Sequence, residues 1–116
     1  MKKVFVAATR QNDGKTMVSL GLFNAFQKRF KDIAYMKPVG QQYRIIDGKK
    51  IDKDAVLFSK VYGLTDEPLD MSPIAVSKGF TENYIQNPDR VALANQIQGA
   101  FDRLSHGKEF VLLEGT

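Results

Sequence analysis

Residues 8–16 read Ala-Thr-Arg-Gln-Asn-Asp-Gly-Lys-Thr and close on a glycine, a cation and a hydroxyl in succession, Gly14-Lys15-Thr16. That trio can handle phosphate. Glycine lets the backbone approach an anion closely. A lysine ammonium can reach the β and γ phosphates of a nucleotide, and a threonine hydroxyl can ligate the Mg²⁺ that travels with them. The stretch follows an apolar run, Val4-Phe5-Val6-Ala7-Ala8, and precedes an amphipathic one, Met17 to Phe30. Strand, tight loop and helix in that order is the setting a phosphate-binding loop requires, because the first helical turn offers unpaired N–H groups and the positive end of the helix dipole. The usual pattern G-x-x-x-x-G-K-[ST] has glycine where this chain has Thr9. The plain alternative is an ordinary loop before a capped helix; the flanking strand and helix favour the phosphate loop.

The elements that must position these groups follow from periodicity. Lys3 to Ala8 reads as a buried strand and Lys15 to Arg29 as a helix whose Val18, Leu22, Ala25 and Phe26 should face a sheet. Lys28, Arg29 and Lys31 suit the negative end of its dipole. Ile33 to Met36 is a short second strand stopped by Pro38. Gln41 to Lys50 is polar, with a turn signal at Asp47-Gly48. Asp52 to Tyr62 is a second helix ended by Gly63, Thr65 to Pro73 is irregular, and Thr81 to Asn87 is a turn or short helix. Pro88 to Leu104 is a longer helix carrying Val91, Leu93, Ala94, Ile97, Ala100, Phe101 and Leu104, ended by Gly107. Phe110 to Leu113 is a third strand. Strands alternating with helices imply a parallel sheet with right-handed crossovers.

Composition narrows the class. A chain of 116 residues is one small domain at most, and its 43% apolar share suffices for a core. No apolar run approaches the roughly 18 residues of a membrane span, and the apolar stretch near the N-terminus is too short for a signal peptide. The sequence has no cysteine, so disulfides and thiolate metal sites are excluded. A cytoplasmic location is expected. The net charge of +4 comes from Lys2-Lys3, Lys28 to Lys31 and Lys49 to Lys53. These runs are interrupted and lack interleaved stacking aromatics, so nucleic-acid binding is not expected.

Four stretches in order resemble one family. They are Ala8-Thr9 to Gly14-Lys15-Thr16, Tyr35-Met36-Lys37-Pro38-Val39, Asp52-Lys53-Asp54-Ala55, and Leu112-Leu113-Glu114-Gly115. The chain resembles dethiobiotin synthetase and the related domain at the front of some phosphate acetyltransferases, within the cobyrinic acid a,c-diamide synthase and division-site ATPase group. The likeness runs from residue 2 to residue 116. It implies an α/β fold, a P-loop NTPase three-layer sandwich with a parallel sheet, here of about three strands; their expected order is second, third, first, because the acidic strand and the phosphate-loop strand must lie adjacent to share one Mg²⁺. Family members continue past the Glu-Gly, so residues 1–116 are expected to be the N-terminal part of a single nucleotide-binding domain, and catalysis by this stretch alone is not expected. That would leave a sheet edge open on the side of Val4 to Ala7 and Phe110 to Leu113.

The resemblance also implies roles. ATP and Mg²⁺ are the expected ligands. Thr9, Arg10, Asn12, Asp13, Gly14, Lys15, Thr16 and Met17 would contact the nucleotide. Lys15 and Lys37 would serve phosphoryl transfer to a carboxylate or carbamate, and Thr16, Asp54 and Glu114 would hold the metal. Lys37, at the end of a strand, could bind a carboxylate, a carbamate or a γ-phosphate, or be a solvated lysine before a proline turn. Asp54 could ligate Mg²⁺ or only favour the helix dipole. Glu114 could ligate it or be an exposed acid without a role. Asp52 reads as an N-cap. Arg10 stands where division-site ATPases have a second lysine; it could reach a phosphate in its own or a neighbouring subunit, or face solvent. Ala8 replaces the family's first glycine, and Asn12 an acidic loop residue. A non-catalytic nucleotide sensor and a scaffold without nucleotide are the other two readings. Relatives of this type imply a homo-oligomer, with an interface near Lys37 to Tyr43 and Ile74 to Tyr84 if the association is family-like, or on the open-edge side if it is not.

Overall fold

The computed structural model describes residues 2–6, 14–76 and 90–115. Three parallel strands form the central sheet: β1 (Lys2–Val6), β2 (Ile33–Met36) and β7 (Phe110–Glu114), in the spatial order β1-β7-β2. The register sets Val6 opposite Glu114 and Met36 opposite Leu113, so all three strands end along one edge. In an open α/β sheet that carboxyl edge is where ligands bind. The order is the expected one, second, third, first, and the fold is the α/β P-loop class expected from the sequence.

Helices cover both faces. On one, α1 (Lys15–Gln27) and α2 (Lys53–Tyr62) meet the sheet through aromatic rings. Phe23 of α1 meets Phe58 of α2 edge-on, with centroids 5.5 Å apart. Tyr35 of β2 stacks on Phe58 at 3.8 Å and 8°. Phe110 of β7 lies 4.5 Å from Phe26 and 5.1 Å from Phe30. Burying each of the fully enclosed rings, Phe23, Tyr35 and Phe58, stabilises the fold by about 1.5–3 kcal/mol. On the other face, α4 (Arg90–Ser105) buries Ala100 and Leu104 and sets Ile97 and Phe101 near Met36 and Leu113.

The local sequence explains the α2 boundaries. The Asp52 carboxylate accepts from the Asp54 amide at 2.8 Å and caps the N-terminus, as expected. Gly63 ends the helix at φ 62°, a left-handed conformation that favours glycine.

Several elements differ from the sequence reading. Gln41 to Lys50, read only as polar with a turn signal, carries two strands, and Thr65 to Pro73, expected to be irregular, holds one helical turn. β4 (Tyr43–Ile46) and β5 (Lys49–Asp52) pair as an antiparallel hairpin across Asp47-Gly48, whose φ values are 50° and 77°. A two-residue turn with both φ positive matches the twist of the strands it joins. The hairpin is largely exposed, so its apolar residues do not alternate cleanly and periodicity misses it. A short pair, β3 (Val39–Gly40) with β6 (Ile74–Ala75), and a one-turn α3 (Pro68–Met71) also occupy stretches without a periodic signal. Helix α1 turns Ser19 and Phe23 inward, with Leu22 and Phe26 partly buried. Val18 and Ala25 instead face outward, Val18 being 54% exposed. The buried stripe is centred about 100° of helix rotation from Val18. In α4, Val91 and Ala94 are likewise exposed, and the burial lies in the C-terminal half. The turn or helix expected at Thr81 to Asn87, and Ala7-Ala8 at the end of β1, lie outside the described residues.

Candidate functional site at the carboxyl edge of the sheet

Gly14 adopts φ 82° and ψ 13° immediately before α1, a left-handed conformation that explains glycine at this position. The first intrahelical hydrogen bond runs from the Val18 amide to the Gly14 carbonyl, 3.1 Å. The amides of Lys15, Thr16 and Met17 therefore precede the helix's own bonding. No acidic residue stands in this first turn and Gly14 supplies no side-chain cap, so among the described residues the positive helix end favours an anion. Lys15 is buried, Thr16 half-buried and Met17 exposed.

A cleft of about 180 Å³ opens here, lined by Gly14 to Met17 together with Lys37, Asp54 and Glu114. Three elements deliver those last three side chains. Lys37 follows β2, its amide fixed to the Met71 carbonyl at 2.8 Å. Asp54 sits in the first turn of α2, and Glu114 ends β7. Gln41, Gln42 and Lys53 complete the wall.

Lys37 is not a solvated lysine. It is 7% exposed, and its ammonium lies 2.7 Å from Asp54, 3.5 Å from Asp52 and 3.6 Å from Glu114. One cation thus stands among three buried carboxyl groups. Burial pushes its pKa down, but the Asp54 hydrogen bond and the charges of Asp52, Asp54 and Glu114 outweigh that and raise it. Burial also opposes ionisation of Asp54, yet the hydrogen bond and charge of Lys37 hold it below the ordinary value. Glu114 goes the other way, raised by burial and by the neighbouring Asp54. Asp52 is also raised, chiefly by burial. Asp54 is therefore the more readily ionised acid, and Glu114 the more readily protonated one. Glu114 is fully buried, so it is not an exposed terminal acid.

Sequence reasoning passed over several residues at this site. Tyr35 donates its hydroxyl to Glu114 Oε1 at 3.1 Å. Burial, then the charge of Glu114, pushes that phenol well above its ordinary pKa, so it remains a donor. Tyr35 lies two positions before Lys37, a spacing that puts both on one face of an extended chain and that could have drawn attention to it. Ser19, one turn after Lys15, is buried beside Glu114. Gln41 and Gln42 carried no signal. Thr9, Arg10, Asn12 and Asp13, the other expected nucleotide contacts, lie outside the described residues.

The donors at the site suit a Mg²⁺ ion. Among the described residues no cluster of three or more His, Cys, Asp or Glu could hold a metal by itself. Mg²⁺ does not need one, since it commonly takes one or two carboxylates plus phosphate oxygens and water. Glu114 Oε2 is buried and has no hydrogen-bond partner among the described residues, which leaves a lone-pair donor to be satisfied.

A family profile described as an AAA domain matches residues 2–116. The chain belongs to this family. It is 29% identical to an ATP-dependent dethiobiotin synthetase of Caldicellulosiruptor saccharolyticus, over 99% of this chain and 48% of that protein. It is 28% identical to a second such synthetase from Salmonella typhi, over 100% of this chain and 49% of that protein. A phosphate acetyltransferase of Deinococcus radiodurans is 29% identical, over 99% of this chain and 15% of its own length. The chain thus spans about half the length of the dethiobiotin synthetases it matches, and the family likeness extends along all of it. Among the described residues no helix is long and apolar enough to cross a membrane.

Proposed function

We propose that the cleft binds the triphosphate of ATP with Mg²⁺, and that the complete protein transfers the γ-phosphoryl group to a carboxylate or carbamate. The observation that carries this reading is the convergence of the α1 N-terminus, whose first turn holds no acidic residue, with Lys15, Lys37, Asp54 and Glu114 around one cleft. The amides at the start of α1 and the Lys15 ammonium would cradle the phosphates. Thr16, Asp54 and Glu114 would hold the Mg²⁺, which when bound neutralises phosphate charge and orients the terminal group. Thr9, Arg10, Asn12, Asp13 and Met17 would add contacts along the loop.

Lys37 has a particular part. It is anchored among carboxylates, so its charge is oriented in advance. When an anionic acceptor and a phosphate enter together, a fixed ammonium can draw them into reacting distance and offset the charge that develops between them. The protein's work in phosphoryl transfer is positioning and charge neutralisation, and both lysines suit it.

A second reading has its own support. The similarity to a phosphate acetyltransferase, a much longer protein, fits a module that binds nucleotide without turning it over. Self-association is part of the proposal. Phe5 on β1, 59% exposed, offers an apolar contact for it. The cysteine-free sequence is compatible with the reducing cytoplasm, the location proposed. Calorimetric titration with ATP, with and without Mg²⁺, tests the main reading. Binding that strengthens with Mg²⁺ is expected, and no binding in either condition contradicts it. Binding without ADP release, measured on the complete protein, would favour the sensor.

A further inference from the structure

Tyr35 is fully buried on the same sheet face as Glu114, and two features fix it. Its ring lies parallel to Phe58 at 3.8 Å and 8°. Its hydroxyl reaches Glu114 Oε1 at 3.1 Å. Phe58 is one helical turn after Asp54 on α2, so ring and carboxylate project from the same helix face. Phe58 also packs edge-on against Phe23 of α1, the helix that carries Lys15 and Thr16. The aromatic contacts therefore tie Tyr35 to the helices that supply Thr16 and Asp54, and its hydroxyl extends the link to Glu114 on β7.

The two oxygens of Glu114 are not equivalent. Oε1 accepts from Tyr35 and is the oxygen nearest the Lys37 ammonium, at 3.6 Å. Oε2 is buried and makes no hydrogen bond among the described residues; nor does the hydroxyl of Ser19, which lies beside Glu114 and is the nearest competitor for it. We propose that Tyr35 is a positioning residue: by occupying Oε1 and clamping its ring on Phe58, it turns Glu114 so that Oε2 is the oxygen presented to the metal ion of a bound Mg-nucleotide. This rests on the Mg-nucleotide reading of the cleft. A phenylalanine at this position would keep the stack and the volume. It would leave the carboxyl group free to rotate, and Oε1 without its donor. Groups that orient a metal ligand typically matter by about tenfold to a hundredfold in metal affinity.

The test is a Mg²⁺ titration of ATP binding in wild type and Tyr35→Phe, with folding of both checked by thermal denaturation. The half-saturating Mg²⁺ concentration is expected to rise about tenfold or more in the variant, with metal-free ATP binding unchanged. A merely structural role would weaken both. Phe58→Leu, which removes the stacking partner and keeps the hydroxyl, is expected to shift the Mg²⁺ requirement in the same direction. Wild-type binding that depends on Mg²⁺, with no shift in either folded variant, overturns the role of Tyr35 alone. Wild-type binding indifferent to Mg²⁺ overturns both this role and the reading of the cleft on which it rests.

Discussion

Replacing Lys37 with methionine keeps the unbranched stem, one atom shorter, and removes the only cation within 4 Å of Asp52, Asp54 and Glu114 among the described residues. All three carboxyl groups are buried. Breaking a buried ion pair by deleting one partner costs about 3–5 kcal/mol. Asp54 lines the open cleft, which favours the low end, about 3 kcal/mol. For a domain of this size that is a fall in Tm of about 10–15 °C.

The pH dependence has a definite sign. In wild type Asp54 is held below its ordinary value, so its contribution is present above about pH 4 and is lost as pH falls through the lower folded value. Without Lys37 that support disappears, and burial and mutual repulsion are expected to raise all three acids. A carboxyl raised in the folded state takes up its proton before the unfolded chain does. Stability then falls as pH climbs above about 4 and is recovered on acidification. The gap between wild type and Lys37→Met should be widest near pH 7 and narrow by about 1 kcal/mol or more toward pH 5. Urea denaturation at the two pH values measures it. A variant as stable as wild type at pH 7, or a gap that does not change with pH, would refute the reasoning.

Two further outcomes are expected. A Cβ on Gly40 would overlap the Asp52 carboxylate and lie 2.7 Å from Asp52 Cβ, so Gly40→Ala should destabilise the fold by about 1–3 kcal/mol in denaturant unfolding; an unchanged midpoint would contradict the close packing of β3 on the capping acid. Light scattering at micromolar concentration should report a dimer or larger species, and a stable monomer would sink the self-association proposal.

Much of the fold was legible because it rests on strong local signals. The Gly-Lys-Thr after an apolar run located both β1 and the start of α1. Asp52 and Gly63 marked the two ends of α2 through capping chemistry. The strand order followed from the need to bring the phosphate-loop strand and the Glu114 strand together. Illegible parts lack such signals. The hairpin from Tyr43 to Asp52 is held by its turn and by backbone pairing, and its side chains are mostly exposed, so only Asp47-Gly48 betrayed it. Val18 looked like a core residue because it is apolar, yet the inward stripe of α1 runs through Ser19, a polar residue beside Glu114. At the site, the types of Lys37, Asp54 and Glu114 suggested chemistry. Their mutual neutralisation, and the part of Tyr35, needed the tertiary arrangement, since Tyr35 and Glu114 are 79 positions apart.

The central claim is that the turn at Gly14 to Met17 is a phosphate site, and Lys15 tests it most directly. ATP titration with Mg²⁺, wild type against Lys15→Ala, should show a loss of about 1.5–3 kcal/mol for one charge-assisted contact, or about tenfold to a hundredfold in Kd. Equal affinities in the two proteins would show that the phosphates do not sit on this turn.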